Sequence, residues 1–210
     1  RLRTMEAANP ELSWGDMAVL YRTNAQSRSI EESLVRWGIP YIVVGGLRFY
    51  DRREIKDLLA YLRLLVNPAD TVSLLRVINV PKRGIGKTTI QRLTDAANQL
   101  GIPLWDVVSD AEAVRSLGGR SARGLLQFCE LLHDLRRQVQ EVAPSELIQQ
   151  VMEKSGYVSE LIAEGTDEAE ERRRNLQELV NAALQYQEEN EEGDLEGFLA
   201  TAALSSDADS

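Results

Sequence analysis

The stretch DMAVLYRTNAQSRSIEESLVRWGIPYIVVGG, residues 16–46, decides the fold class. Its first part, DMAVLYRT (16–23), is a short apolar run with β-branched and aromatic members and reads as a buried strand. Thr23 and Gln26 have the spacing of a capping box, and Ile30, Leu34 and Trp37 recur at helical intervals until Gly38 and Pro40 stop the helix. PYIVV (40–44) reads as a second strand, closed by Gly45 and Gly46. Strand, helix and strand with short joins predict a βαβ unit with parallel strands and a right-handed crossover.

Further along, Asp51 with Glu54 repeats the capping-box spacing. Ile55, Leu58, Leu59, Leu62, Leu65 and Val66 then draw an amphipathic stripe that Asn67 and Pro68 end. Beyond it the chain reads as helix and turn, with helical patterns over 71–79, 88–100, 104–116, 121–142, 145–154, 157–164, 167–188 and 195–204. The terminal SSDADS (205–210) is polar and reads as frayed. The expected fold class is α/β plus all-α, with residues 1–66 as a small βαβ piece and 67–210 as a helical part.

Composition narrows the function classes. With 43% hydrophobic and 27% charged residues in 210, the chain has a globular composition. No apolar run approaches the ~20 residues of a membrane-spanning helix. The start, RLRTMEAANPELSWGD, has neither an apolar signal core nor an initiating Met, so the chain is expected to be an excised piece of a longer protein. Cys129 is the only cysteine and His133 the only histidine, which excludes an intrachain disulfide and leaves a thiol or imidazole zinc site short of ligands. The net charge of −9 hides an asymmetry: residues 1–100 carry net +5 and residues 101–210 net −14. A basic half can bind polyanions locally despite the acidic total.

Three segments carry candidate chemistry. PKRGIGKTT (81–89) imitates a phosphate-binding loop, but Pro81 stands where that motif needs its first Gly. A better reading is a helical hairpin in which Gly84 and Gly86 permit an unusual turn and Ile85 anchors it. The amides opening the next helix, flanked by Lys82, Arg83 and Lys87, can then accept a nucleic-acid phosphate. An ordinary turn with a solvated basic rim is the plain alternative. Lys154-Ser155-Gly156-Tyr157 marks a second helix-to-helix turn and Arg172, Arg173 and Arg174 a basic cluster; both are candidate secondary phosphate contacts, and for the arginines pairing with Glu168, Glu170, Glu171 and Glu178 is the favoured role. Tyr21-Arg22, at the end of the first predicted strand, offers an aromatic face for a base and a guanidinium for a phosphate.

AVLYRTNAQSR (18–28), IPYIVVGGLRFYDRREIKDLLAYLRLLVNP (39–68) and LLRVINVPKRGIGKTTI (74–90), in this order, resemble superfamily 1 DNA helicases of the UvrD/PcrA type, and EKSGY (153–157) and ERRRNLQELV (171–180) continue the resemblance. It implies a segment of an ATP-driven 3′–5′ motor that unwinds DNA in repair or replication. Residues 1–66 would be the start of the second RecA-like (P-loop NTPase type) motor subdomain, 2A, and 67–210 most of its helical accessory subdomain, 2B. By motif match Tyr21 would stack on adenine and Arg22 would reach the γ-phosphate as the catalytic arginine finger. Lys82, Arg83, Gly84, Ile85, Gly86, Lys87, Lys154, Ser155 and Gly156 would be the DNA contacts.

The implied cofactor is ATP with Mg²⁺, its metal ligands outside this segment and none expected bound here. The implied partners are single-stranded and duplex-junction DNA, the remaining motor subdomains, and repair or replication proteins, in a cytoplasmic setting without membrane contact. The isolated segment is expected to turn over no ATP. Two rivals remain at this level: an autoregulatory or protein-interaction module whose acidic helices bind partners without touching DNA, and a free-standing P-loop enzyme using Lys87.

Overall fold

The computed structural model describes residues 2–9 and 11–207. Among them the regular elements are helices: α1 Leu2–Ala8, α2 Ser27–Arg36, α3 Arg53–Val66, α4 Thr71–Val77, α5 Lys87–Leu100 and α6 Leu104–Ser109. They continue with α7 Ala111–Leu117, α8 Ala122–Arg137, α9 Pro144–Lys154, α10 Tyr157–Glu164, α11 Asp167–Glu189 and α12 Leu195–Asp207. The expected α/β portion is corrected here, because no strand forms among the described residues. The segments read as strands flank α2 as irregular chain, with Leu20, Ile42 and Val44 more than four-fifths exposed. A parallel pair without further strands satisfies few backbone groups and is marginal, so apolar, β-branched composition alone does not make a ladder.

Beyond residue 70 the helices follow the sequence pattern closely. The single helix expected over 104–116 is divided at Asp110, whose carboxylate accepts from the amides of Glu112 (2.8 Å) and Ala113 (3.2 Å) and so caps α7. Pro144 opens α9, and Thr166 caps α11 by accepting from Ala169 N at 3.1 Å. Ser205 to Asp207, expected to fray, continue α12, and residues 208–210 of that tail lie outside the described residues.

Helix α3 is the centre of the molecule. Its predicted stripe is buried apart from half-buried Val66, but Ala60, Tyr61 and Leu64 on its other faces are buried too. Only Arg53, Lys56 and Arg63 of this helix are exposed, so it is covered around most of its circumference. Here α4, α8, α9, α11 and α12 all pack on α3, and one continuous core runs from Phe49 to Ala202. The capping box expected at Asp51 and Glu54 does not form: Asp51 pairs with Lys56 Nζ at 2.6 Å, and Glu54 turns inward to Asn175. Cys129 of α8 donates its thiol hydrogen to Val108 O at 3.0 Å, and burial pushes the thiol up to about 12.

The non-helical segments before α3 are fastened by buried polar groups. Arg52 donates to Asn175 Oδ1 (3.0 Å) on α11 and Ser27 Oγ (2.6 Å) on α2, while Asn175 Nδ2 donates to Glu54 Oε1 (2.7 Å) on α3. Arg28 pairs with Glu32 (2.6 Å) and with Glu178 of α11 (2.8 Å). Burial lowers the Arg28 guanidinium's affinity for its proton, but these two carboxylates more than offset it. Glu31 accepts from Phe49 N at 3.1 Å. Asn175→Ala removes a donor and an acceptor from this network and leaves Arg52 and Glu54 buried and incompletely bonded, so the urea midpoint should fall by the equivalent of about 3 kcal/mol with m unchanged.

Candidate functional site

Between α4 and α5 the chain makes the glycine turn singled out in the sequence. Asn79 Oδ1 accepts from the amides of Arg83 (2.7 Å) and Ile85 (3.2 Å), which curls residues 79–85 around one side chain. On the opposite side Ser121 Oγ donates to Gly84 O at 2.9 Å. Gly84 has φ +71°, a conformation that favours glycine. Ile85 is 2% exposed and its amide is bonded to Asn79, so it anchors the turn and offers a ligand nothing itself. Lys82 and Lys87 are exposed and form no ion pair with any described residue. The amides of Lys87 and Thr88, in the first turn of α5, have no acceptor among the described residues.

The second turn joins α9 to α10. Gly156 has φ +83°, and Ser155 is buried with its Oγ accepting from Tyr157 N at 3.2 Å. Tyr157 in turn donates to Asp57 Oδ2 of α3 at 2.8 Å, and Asp57 also pairs with Arg76 Nε of α4 at 2.8 Å. Burial, with Asp57 beside it, raises the Tyr157 phenol far above its usual range and keeps it a donor. Lys154 is exposed, its Nζ 2.8 Å from Gln150 Oε1. Glu153 and Glu160 flank this turn with negative charge.

Arg83, expected beside Lys82 and Lys87 as a phosphate-facing cation, is turned inward instead. It donates to Pro81 O (3.0 Å), Val77 O (3.3 Å), Tyr61 Oη (2.7 Å) and Ser155 O (3.2 Å), with its guanidinium carbon 5.3 Å from the Phe128 ring centroid. Burial pushes the Tyr61 phenol up to about 12, so Tyr61 keeps its proton and donates to Val80 O while accepting from Arg83. The bond to Ser155 O brings the two glycine turns, far apart in sequence, side by side.

Tyr21 and Arg22 lie elsewhere, and not at a strand end. Tyr21 is half-buried and Arg22 exposed, at a cleft of about 290 Å³ lined also by Asn24, Asp167, Glu171 and Arg174. Gln26 Oε1 accepts from the amides of Arg22 (3.0 Å) and Thr23 (3.2 Å), which fixes the backbone beneath the pair. Asn24 donates to Glu171, tying this loop to α11. The Arg22 guanidinium pairs with no described residue. One aromatic ring and one open guanidinium suit one edge of a nucleotide, but Asp167 and Glu171 on the facing wall oppose a polyanion unless charge is supplied to offset them. The arginine run pairs locally, Arg172 with Glu164 (2.5 Å), Arg173 with Glu170 (2.9 Å) and Arg174 with Glu170 (3.5 Å).

Sequence reasoning missed Asn79, Ser121 and Gly124, which build the first turn. An Asn two residues before Pro81 was a usable turn signal. Ser121 and Gly124 carried none, since they reach the turn only through the packing of α8.

A family profile described as the UvrD-like helicase C-terminal domain matches residues 3–210. The chain is 40% identical over 204 residues to the ATP-dependent DNA helicase PcrA of Leuconostoc citreum, covering 94% of this chain and 27% of that protein. It is 40% identical over 196 residues to the protein of the same name from Staphylococcus aureus strain Mu50, covering 92% and 27%. The chain thus spans about a quarter of the length of these relatives.

A Cβ added at Gly124 would lie 2.3 Å from the carbonyl oxygen of Arg83, so α8 can approach the turn only with glycine there. Gly124→Ala should cost about 2 kcal/mol by urea unfolding and shift the amide resonances of Gly84 and Gly86, the turn being displaced along with the helix.

Proposed function

This chain belongs to the UvrD-like helicase C-terminal domain family, and from that premise we propose that it acts as a segment of an ATP-dependent 3′–5′ DNA helicase. In this reading residues 1–66 supply the nucleotide-sensing pair and residues 67–210 the grip on duplex DNA. Bound ATP with Mg²⁺ would supply the hydrolysis that drives strand movement. Tyr21 offers its ring to adenine, and Arg22 extends to the γ-phosphate of a nucleotide held by another part of the motor. Such an arginine neutralises charge that grows as the phosphoryl group departs.

The observation that carries the proposal is the pairing of two glycine turns with lysines beside both. Lys82 and Lys87 stand exposed at the first turn, where the amides of Lys87 and Thr88 are open, and Lys154 stands exposed at the second, whose amides are bonded within the chain. Point charges and amides of this kind hold phosphates without reading bases, which suits a motor that must accept any sequence. Ile85 and Ser155 contribute their backbone to the turns, while Gly84, Gly86 and Gly156 keep the surface free of side chains. The acidic flank at Glu153 and Glu160 keeps this grip weak.

With Arg83 turned inward, the three lysines are expected to give duplex binding a log K against log salt slope near −3, corresponding to about three phosphates. Lys82→Ala with Lys87→Ala should reduce that slope by about 2 units in a salt titration of a fluorescent duplex. An unchanged affinity and slope would favour the protein-interaction module instead. In a helicase polypeptide carrying this segment, Arg22→Ala should lower the ATP hydrolysis rate by about 10³-fold with nucleotide affinity changed far less. An unaltered rate would remove Arg22 from the catalytic role.

A further inference from the structure

We propose that Arg83 is a positioning residue that joins the two glycine turns into one phosphate-binding surface and does not itself touch DNA. This rests on the duplex-contact reading above and adds to it how the two halves of the grip are kept in register.

A guanidinium has five N–H donors in a rigid plane, and Arg83 directs the four on its two outer nitrogens to carbonyl and hydroxyl oxygens of its own chain. Nη1 reaches Pro81 O (3.0 Å) and Val77 O (3.3 Å), and Nη2 reaches Tyr61 Oη (2.7 Å) and Ser155 O (3.2 Å). Both outer nitrogens are thereby occupied, and the rings of Phe128 and Tyr61 lie 5.3 and 5.9 Å from the guanidinium carbon. No fork is left to meet a phosphate in the bidentate manner at which arginine excels. Lys82 and Lys87, its neighbours in sequence, have no such internal partners and remain outside.

The acceptor at the far end explains what the contact does. Ser155 is the residue at which α9 ends, and its carbonyl belongs to the negative, unsatisfied end of that helix. Arg83 supplies that carbonyl with a charge-assisted hydrogen bond. One residue later Gly156 begins α10, and three residues after Arg83 Gly86 begins α5. The starts of both helices therefore meet at this bond, beside the separate tie from Tyr157 to Asp57 of α3. The Arg83 end is itself immobile, because its amide is held by Asn79 and its carbonyl is closely approached by Gly124 of α8. The sequence separation between the turns makes this contact purely tertiary.

The test is a double-mutant cycle in duplex DNA binding by this chain across a KCl titration, with Arg83→Gln, Lys154→Ala and the combination. Lys154→Ala alone is expected to weaken binding about three- to tenfold and to lower the salt slope by about 1. In the Arg83→Gln background, where the second turn is no longer held beside the first, Lys154→Ala should change affinity less than 1.5-fold, and Lys82→Ala should keep its full effect. Arg83→Lys retains the charge, but its single nitrogen, on a shorter stem, cannot serve Val77 and Pro81 on one side and Tyr61 and Ser155 on the other, so it should behave like Arg83→Gln. It also guards against a glutamine variant that fails to fold. Additive losses, with Lys154→Ala as costly in either Arg83 variant as in the parent, would overturn the proposal and make Arg83 a direct contact. A wild-type salt slope in Arg83→Lys with Lys154→Ala still costly would overturn it equally. If Lys82→Ala, Lys87→Ala and Lys154→Ala all leave parent binding intact, the duplex-contact reading falls first and takes this inference with it.

Discussion

A guanidinium removed from water must meet oxygen acceptors in its own plane, and three arginines here are held to that requirement. Arg28 and Arg52, 5% and 7% exposed, fasten α2 and the irregular chain around it to α3 and α11, and Arg83 fastens one glycine turn to the other. Each takes at least one acceptor remote in sequence, Glu178 for Arg28, Asn175 for Arg52 and Ser155 for Arg83, and that bond exists only if the packing does. Among the described residues no buried side-chain nitrogen or oxygen lacks a partner. Removing one member of such a network leaves the others uncompensated in low dielectric, which makes these contacts specify one arrangement of the chain.

The cations divide by chemistry. Those that tie elements together from within are arginines, whose planar forks fit several fixed oxygens at once. Those standing outside at the glycine turns are lysines, compact charges on flexible stems that can follow a phosphate without fixing its orientation. Arg22 is an arginine left open, in keeping with a role that requires a directed contact to one phosphate oxygen. Around both candidate sites acidic side chains stand close, Asp167 and Glu171 at the cleft and Glu153 and Glu160 at the second turn. Their charge lowers the local attraction for any anion at either place.

Helix α3 connects the two regions. Through Glu54 and Asn175 it holds α11, to which Asn24 ties the segment carrying Tyr21 and Arg22, and through Asp57, Tyr157 and Arg76 it holds the second turn and α4. The boundary drawn after residue 66 coincides with the end of α3 but not with any gap in packing, since the helix expected to close the first unit is the one around which the others assemble.

The sequence by itself determined the helices beyond residue 70, because periodic apolar spacing, Gly and Pro breaks and capping residues act within one or two turns of the chain. It also determined the glycine turn with Ile85 as its anchor, and the residue types at both candidate sites. Tertiary structure alone decided whether DMAVLYRT and PYIVV would pair: a strand needs a neighbour's backbone, and β-branched composition does not supply one. It likewise decided that α3 is covered on all but the face carrying Arg53, Lys56 and Arg63, that Ser155 is buried, and that the Arg83 guanidinium turns inward while Lys82 and Lys87 stay exposed. Those outcomes depend on acceptors and walls brought from distant parts of the chain, and a local pattern holds no record of them.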